Sequence, residues 1–153
     1  YAIRKISMAV TSPGPDLCTE EEVTRLVHEF YAQVRLDPAL GPIFESAVHD
    51  WPAHLAQLVD FWSAMLRGTR RFRGAPLQKH QALPGLDAAL FQQWLLLFRQ
   101  TTAALGNPPM QREADAMARQ IADNFWQRYQ SARDPLGTPQ SLDAVSILPV
   151  LRT

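Results

Sequence analysis

Two histidines and two aromatic residues with polar hydrogens carry most of the chemical potential of this 153-residue chain. His54 stands four residues before Leu58 and seven before Phe61, which puts it on the apolar side of a helical stripe and turns it towards the core. A histidine there is a hydrogen-bonded core residue unless something brings a ligand to it. His80 sits on a single helical turn between Pro76 and Pro84, with Leu77 and Leu83 beside it, and alone it reads as an exposed or capping residue. Together the two histidines lie on consecutive helical elements separated by a turn, and two such elements can face each other across a slot. A flat, apolar cofactor with a metal centre fits such a slot, and imidazole is a common iron ligand. Tyr31 and Trp94 fall on the apolar stripes of two further helices. They are either core filling, like Phe30, Phe61, Trp62, Phe91 and Phe98, or, aimed at one cavity, a donor pair for a small polar ligand.

Other chemistries find less support. His49 and His54 are five apart and do not share a helix face, there is no cysteine pair, and nothing resembles HExxH, so a zinc site is poorly supplied. No glycine-rich phosphate loop and no nucleophile elbow is present, although a dispersed Ser-His-Asp set stays open. Fifteen basic residues balance fifteen acidic ones, which gives no reason to expect nucleic acid or an anionic membrane as partner. The lone cysteine, Cys18, rules out a disulfide within the chain and suits a reducing, cytoplasmic setting; it reads as a free thiol of no consequence. No apolar run approaches the ~20 residues that span a bilayer. The basic pair Arg4-Lys5 lacks the apolar stretch of a signal peptide, and Met8 is the expected natural start, with residues 1–7 vector-derived or upstream sequence.

The elements that must position these residues are helical. Residues 1–18, with Pro13, Gly14 and Pro15, read as a flexible lead-in. Thr19 and Glu22 form a capping-box pattern ahead of a stripe of Val23, Leu26, Val27, Phe30, Tyr31 and Val34. Pro38, Gly41 and Pro42 are expected to break that helix, leaving Ile43-Phe44 as a short apolar plug. Asp50 caps a second helix with Pro52 in its first turn and a stripe of Trp51, His54, Leu55, Leu58, Phe61, Trp62 and Met65, stopped by Gly68. A basic loop follows, with Arg67, Arg70, Arg71 and Arg73, and then the short turn from Leu77 to Leu83. Asp87 caps a third long helix, with Leu90, Phe91, Trp94, Leu95, Phe98 and Leu105 on one side, ended by Gly106-Asn107-Pro108-Pro109. A fourth runs from about Met110 to Arg133 on Ala114, Met117, Ile121, Phe125 and Tyr129, and Asp134-Pro135 closes it. No period-two pattern competes, so the expectation is an all-α domain over residues 19–133, with four long helices and one short turn. The tail, 134–153, carries an apolar patch from Val145 to Leu151 that should dock on this domain or on a second copy.

In order and at compatible spacings, several pieces resemble one family. They are Phe30-Tyr31-x-x-Val34-Arg35-x-Asp37-x-x-Leu40-Gly41-Pro42-Ile43-Phe44; Trp51-x-x-His54 and Phe61-Trp62; Gly74-x-Pro76-x-x-x-His80-x-x-Leu83; and Phe91-x-x-Trp94-Leu95-x-Leu97-Phe98. Over roughly residues 19–130 the chain is similar to the group III truncated haemoglobins of bacteria. The resemblance implies a two-over-two helical sandwich around haem b. It implies His80 as proximal iron ligand, Tyr31 and Trp94 as the distal hydrogen-bonding pair, and His54 as the distal histidine that can gate the cavity. Phe44 would pack on the haem edge, with Leu58 and Phe61 lining the distal side and Leu77 and Leu83 flanking the ligand. Arg67, Arg70, Arg71, Arg73 and Lys79 are the cations near the propionates, although a charge run is commonly just a solvated face.

The implied function is reversible binding of oxygen, carbon monoxide, nitric oxide or a related small ligand. Bound oxygen carries partial negative charge, so donors from Tyr31 and Trp94 should hold it more than the less polarised carbon monoxide. Two alternatives use the same scaffold. One is a haem enzyme with peroxidase-like or nitric oxide dioxygenase activity, which would need an external reductase because the chain has no room for one. The other is a haem-based sensor or haem-handling module. The expected state is a monomer or weak homodimer.

Overall fold

The structure, a computed structural model, describes residues 12–73 and 85–142. Among these there are five helices and no strand: α1 (Glu20–Leu36), α2 (Leu40–Ala47), α3 (Trp51–Arg67), α4 (Ala88–Ala104) and α5 (Pro108–Arg133). Helix α1 packs on α3, α4 packs on α5, and the two pairs meet through α1 against α4, with α2 bridging α1 and α4. The short turn from Leu77 to Leu83, and His80 with it, lies outside the described residues.

Local chemistry explains where most helices start. At α1 the capping box forms: Glu22 N donates to Thr19 Oγ1 at 3.0 Å, and Thr19 N donates to Glu22 Oε1 at 2.9 Å. The stripe from Val23 to Val34 is buried. Asp50, Asp87 and Asn107 cap α3, α4 and α5 by accepting from Ala53, Leu90 and Met110 N–H groups. Helix α3 ends at Gly68, whose φ of 77° is left-handed and favours glycine.

The segment around Phe44 differs from the expected break and plug. Helix α1 ends at Leu36, just before Pro38, but Gly41 and Pro42 sit in the first turn of α2, where proline lacks only an N–H that has no helical partner. The Asp37 carboxylate accepts from Ala39 N at 3.0 Å, Leu40 N at 2.8 Å and the Gln93 amide at 2.9 Å. Although partial burial works the other way, these donors hold its carboxyl below its ordinary value. Gly41 permits the tight corner: a Cβ there would lie 2.6 Å from the Arg35 carbonyl oxygen.

The lead-in also departs from expectation over residues 12–18. Gly14 N donates to Leu66 O at 2.9 Å, and Leu17 and Cys18 are buried in the core. Cys18 is thus a packing residue; burial first, then the nearby Glu22 carboxylate, push its thiol up to about 11. The start of the tail docks as well. Leu142 is buried, its N–H donates to Asp123 Oδ1 at 2.8 Å, and Gln130 and Gln140 exchange two hydrogen bonds. The apolar patch from Val145 to Leu151 lies outside the described residues.

Candidate functional site

The core is aromatic where α1, α3 and α4 converge. Phe30 takes Tyr31, Trp94 and Phe98 edge-on with centroids 4.7, 5.1 and 5.0 Å away, and Trp62 and Trp94 stack on Phe98. Of these rings, Tyr31, Trp62 and Trp94 line a cleft of about 820 Å³, its open mouth included, with Phe30 and Phe98 packed behind them. Leu40, Ile43 and Phe44 come from α2, Leu58, Phe61 and Trp62 from α3, Leu90, Phe91 and Trp94 from α4, and Ile121, Ala122 and Phe125 from α5; Leu86 precedes α4.

The lining is aliphatic and aromatic, and among the described residues only Tyr31, Trp62 and Trp94 bring polar hydrogens to it. Tyr31 is 5% exposed. Burial drives its phenol pKa far above the ordinary value, and a hydrogen bond from the Trp94 indole opposes that only in part. The phenol therefore stays protonated at any physiological pH. Both groups face the cleft, with few competing acceptors. An apolar cavity with a pair of convergent donors suits a planar apolar group plus a small, partly negative ligand.

His54 is placed differently from the other candidates. It does not line the cleft but stands beside Tyr31, ring centroids 6.2 Å apart at 84°, and beside Trp51, 5.7 Å apart at 84°. It is half-buried, whereas Tyr31 is buried.

Phe44, Leu58 and Phe61 line the cleft. Leu77, Leu83, Lys79 and His80 lie outside the described residues. The cations Arg67 and Arg71 are engaged elsewhere: Arg67 Nη1 lies 2.7 Å and Arg71 Nη2 lies 2.8 Å from the two Glu20 carboxylate oxygens, and Arg71 Nε reaches Asp60 at 3.0 Å. Arg73 donates to the Arg70 and Phe72 carbonyl oxygens, and Arg70 is exposed. Reading the sequence missed Leu40, Ile43, Trp62, Leu90, Phe91, Leu86, Ile121, Ala122 and Phe125 as lining residues. For the last three, the helical stripe of α5 was visible, but which part of it faces a cavity depends on how far α4 and α5 splay apart. Among the described residues no cluster of three or more metal-ligating side chains occurs. None of the described helices is long and apolar enough to cross a membrane.

Comparison with known proteins gives concordant results. Residues 16–125 match the family described as bacterial-like globin. The chain is 36% identical over 110 residues to the group 3 truncated hemoglobin ctb of Campylobacter jejuni, an alignment covering 69% of this chain and 87% of the relative. The crystal structure of a group III truncated hemoglobin from Campylobacter jejuni superposes with a TM-score of 0.68 at 33% identity, covering 78% of this chain and 95% of that one.

Proposed function

The chain belongs to the bacterial-like globin family as a haem-binding truncated haemoglobin of the third group, and on that premise we propose that it binds oxygen or a related diatomic ligand reversibly at haem b, with His80 as the proximal ligand. The observation that carries this reading is the donor pair: Tyr31 and Trp94, hydrogen-bonded to each other at one end of an otherwise apolar cleft. The cleft suits the porphyrin in chemistry, since its lining offers aromatic and aliphatic surface to a flat apolar disc. Haem held through one imidazole supplies an iron with one position open to a diatomic ligand.

The protein's own residues then divide the work. Phe44, Leu58 and Phe61 cover the disc and exclude water. Tyr31, kept neutral by burial, would donate its hydroxyl hydrogen to the negative end of a polarised ligand, and the Trp94 indole, whose single N–H goes to the Tyr31 oxygen, would orient that hydroxyl. His54, half-buried, stands beside Tyr31. Because Arg67 and Arg71 serve Glu20, the propionates fall to Arg70, Arg73 and Lys79. Oxygen, nitric oxide and carbon monoxide are the ligands in view. An external reductase would supply electrons to the bound haem, and the protein would work in the cytoplasm as a monomer or weak homodimer.

Absorption spectra of the purified protein, oxidised, reduced and with carbon monoxide, test the first step. His80→Ala should lose haem or show an altered reduced spectrum that added imidazole restores; an unchanged spectrum without imidazole removes His80 from its role. Tyr31→Phe and Trp94→Phe should each speed oxygen release severalfold, about what one lost hydrogen bond of ~1 kcal/mol costs, and should speed carbon monoxide release less. Because the two side chains bond to each other, the double variant should show less than the summed effect. Equal effects on both gases would reduce the pair to core aromatics.

A further inference from the structure

Three elements meet beside Tyr31 through side chains that the ligand chemistry leaves unexplained. Arg35, in the last turn of α1, lies with its Nε 2.8 Å from Glu45 Oε1 on α2. The Arg35 guanidinium carbon also sits 4.4 Å above the ring centre of Trp51, the first residue of α3. The Trp51 indole N–H points at the other Glu45 carboxylate oxygen, 3.5 Å away. One planar cation, one carboxylate and one indole thus close a triangle, each touching the other two. Trp51 also packs against His54, ring centroids 5.7 Å apart, and against the buried Tyr31, 6.2 Å apart. Contacts therefore run without a gap from an exposed ion pair to a buried phenol.

The position of Trp51 makes this arrangement consequential. As the first residue of α3 its N–H has no partner inside the helix, and first turns fray most easily. Orientation there comes from side-chain partners, and for Trp51 the partners are Arg35 and Glu45. An arginine suits the task better than a lysine, because its flat guanidinium can stack on the indole while one edge meets the carboxylate. His54 follows Trp51 by three residues, so both sit on one face of the same helical turn.

Building on the ligand-binding reading above, we propose that Arg35, Glu45 and Trp51 form a surface clamp that holds His54 against Tyr31 and so sets how fast ligands pass between solvent and the Tyr31–Trp94 end of the cleft. They are positioning residues, acting through His54. Their influence falls on ligand arrival, whereas retention rests with Tyr31 and Trp94. An ion pair this exposed is weakened by salt, so the clamp also loosens as ionic strength rises.

The test compares Arg35→Ala, Arg35→Lys and His54→Ala with the unaltered protein in two readouts. Carbon monoxide rebinding after flash photolysis should be faster in Arg35→Ala by about threefold, the scale of losing one exposed cation–π contact. His54→Ala should be faster still, and Arg35→Lys should fall between the unaltered protein and Arg35→Ala. Oxygen release should change less than rebinding in all three. Added salt should speed rebinding in the unaltered protein and leave Arg35→Ala where it is. The second readout is the NMR shift of the His54 ring protons, recorded with and without haem, which should move in Arg35→Ala as the indole leaves its edge-on contact. If His54→Ala speeds rebinding while Arg35→Ala alters neither rate nor shift, the clamp is wrong. If His54→Ala alters nothing, His54 is no barrier and the proposal falls while haem binding stands. Failure to bind haem at all would show in the absorption spectrum, and an unmoved His54 shift in the haem-free chain would then overturn the clamp on its own.

Discussion

The two ends of α3 are held by opposite means. At its C-terminal end Ser63 and Leu66 are fully buried. There the Glu20 carboxylate accepts from Ser63 Oγ at 2.5 Å and from Arg67 at 2.7 Å, while Arg67 Nε donates to the Cys18 carbonyl oxygen at 2.8 Å. Thr69 adds a hydrogen bond to Ser63. At the N-terminal end Trp51 and His54 are half-buried and rest on rings, with an exposed ion pair outside them. One helix is therefore fastened where it meets the start of α1 and lightly held at its first turn, beside Tyr31. Stability is concentrated at the C-terminal end, and the N-terminal end has little to lose by opening.

The strongest way to break this contrast is Leu66→Ala. A fully buried leucine in a packed core costs about 2–5 kcal/mol when cut back to alanine. Leu55→Ala, at the other end and only partly buried, should cost less than half as much. Urea unfolding of the two variants decides it. Equal losses would mean that the N-terminal end bears as much of the stability as the anchored end.

Glu20→Gln probes the polar half of the anchor. Arg71 first, then Ser63 and Arg67, hold the Glu20 carboxyl down to about 2. The folded value lies below the unfolded value of about 4.3, so the charge contributes stability that is fully present above about pH 5 and is lost as pH falls towards 2. Because the side chain keeps 39% of its surface in solvent, the loss at neutral pH should be only about 1–2 kcal/mol. The acid limb of a stability-against-pH curve should flatten in the variant. A limb of unchanged steepness would mean that other carboxylates set it.

How much of this was legible in the sequence follows the same division. The helices came through because their signals are local: Thr19 with Glu22, Asp50, Asp87 and Gly68 each act within one turn, and the buried stripe of α1 is the one its period implies. The joining of Tyr31 and Trp94 was legible only as a resemblance, since nothing in the spacing of residues so far apart makes two helices turn their polar hydrogens to one point. The Glu20 anchor was missed. Nothing in the sequence singled out Glu20, and Arg67 and Arg71 looked like loop cations, because their meeting depends on how α1 and α3 cross. The burial of Leu17 and Cys18 was missed for a related reason. Prolines and a glycine mark a segment as irregular, but irregular chain can still be tied down, here by the hydrogen bond from Gly14 to Leu66 O. Helix α2 was obscured by Gly41 and Pro42, which break a helix interior and yet suit a first turn.

The smallest effect, and the one that sharpens the contrast most, is expected from Asp50→Ala. Asp50 caps the lightly held end by accepting from Ala53 N at 3.1 Å. Losing an N-cap typically costs ~1 kcal/mol. Here the global loss should fall below that, because a first turn with few buried contacts can fray without carrying the core with it. The cost should appear locally instead. Amide hydrogen exchange at His54 and Leu55 should quicken, while exchange at Ser63 and Leu66, behind the Glu20 anchor, should hold its native rate. The two sites sit on one continuous helix, so a difference between them cannot come from helix propensity alone and must reflect what each end is tied to. Should all four amides quicken together, α3 opens as a single unit, and the separation between an anchored end and a lightly held end would have no dynamic meaning.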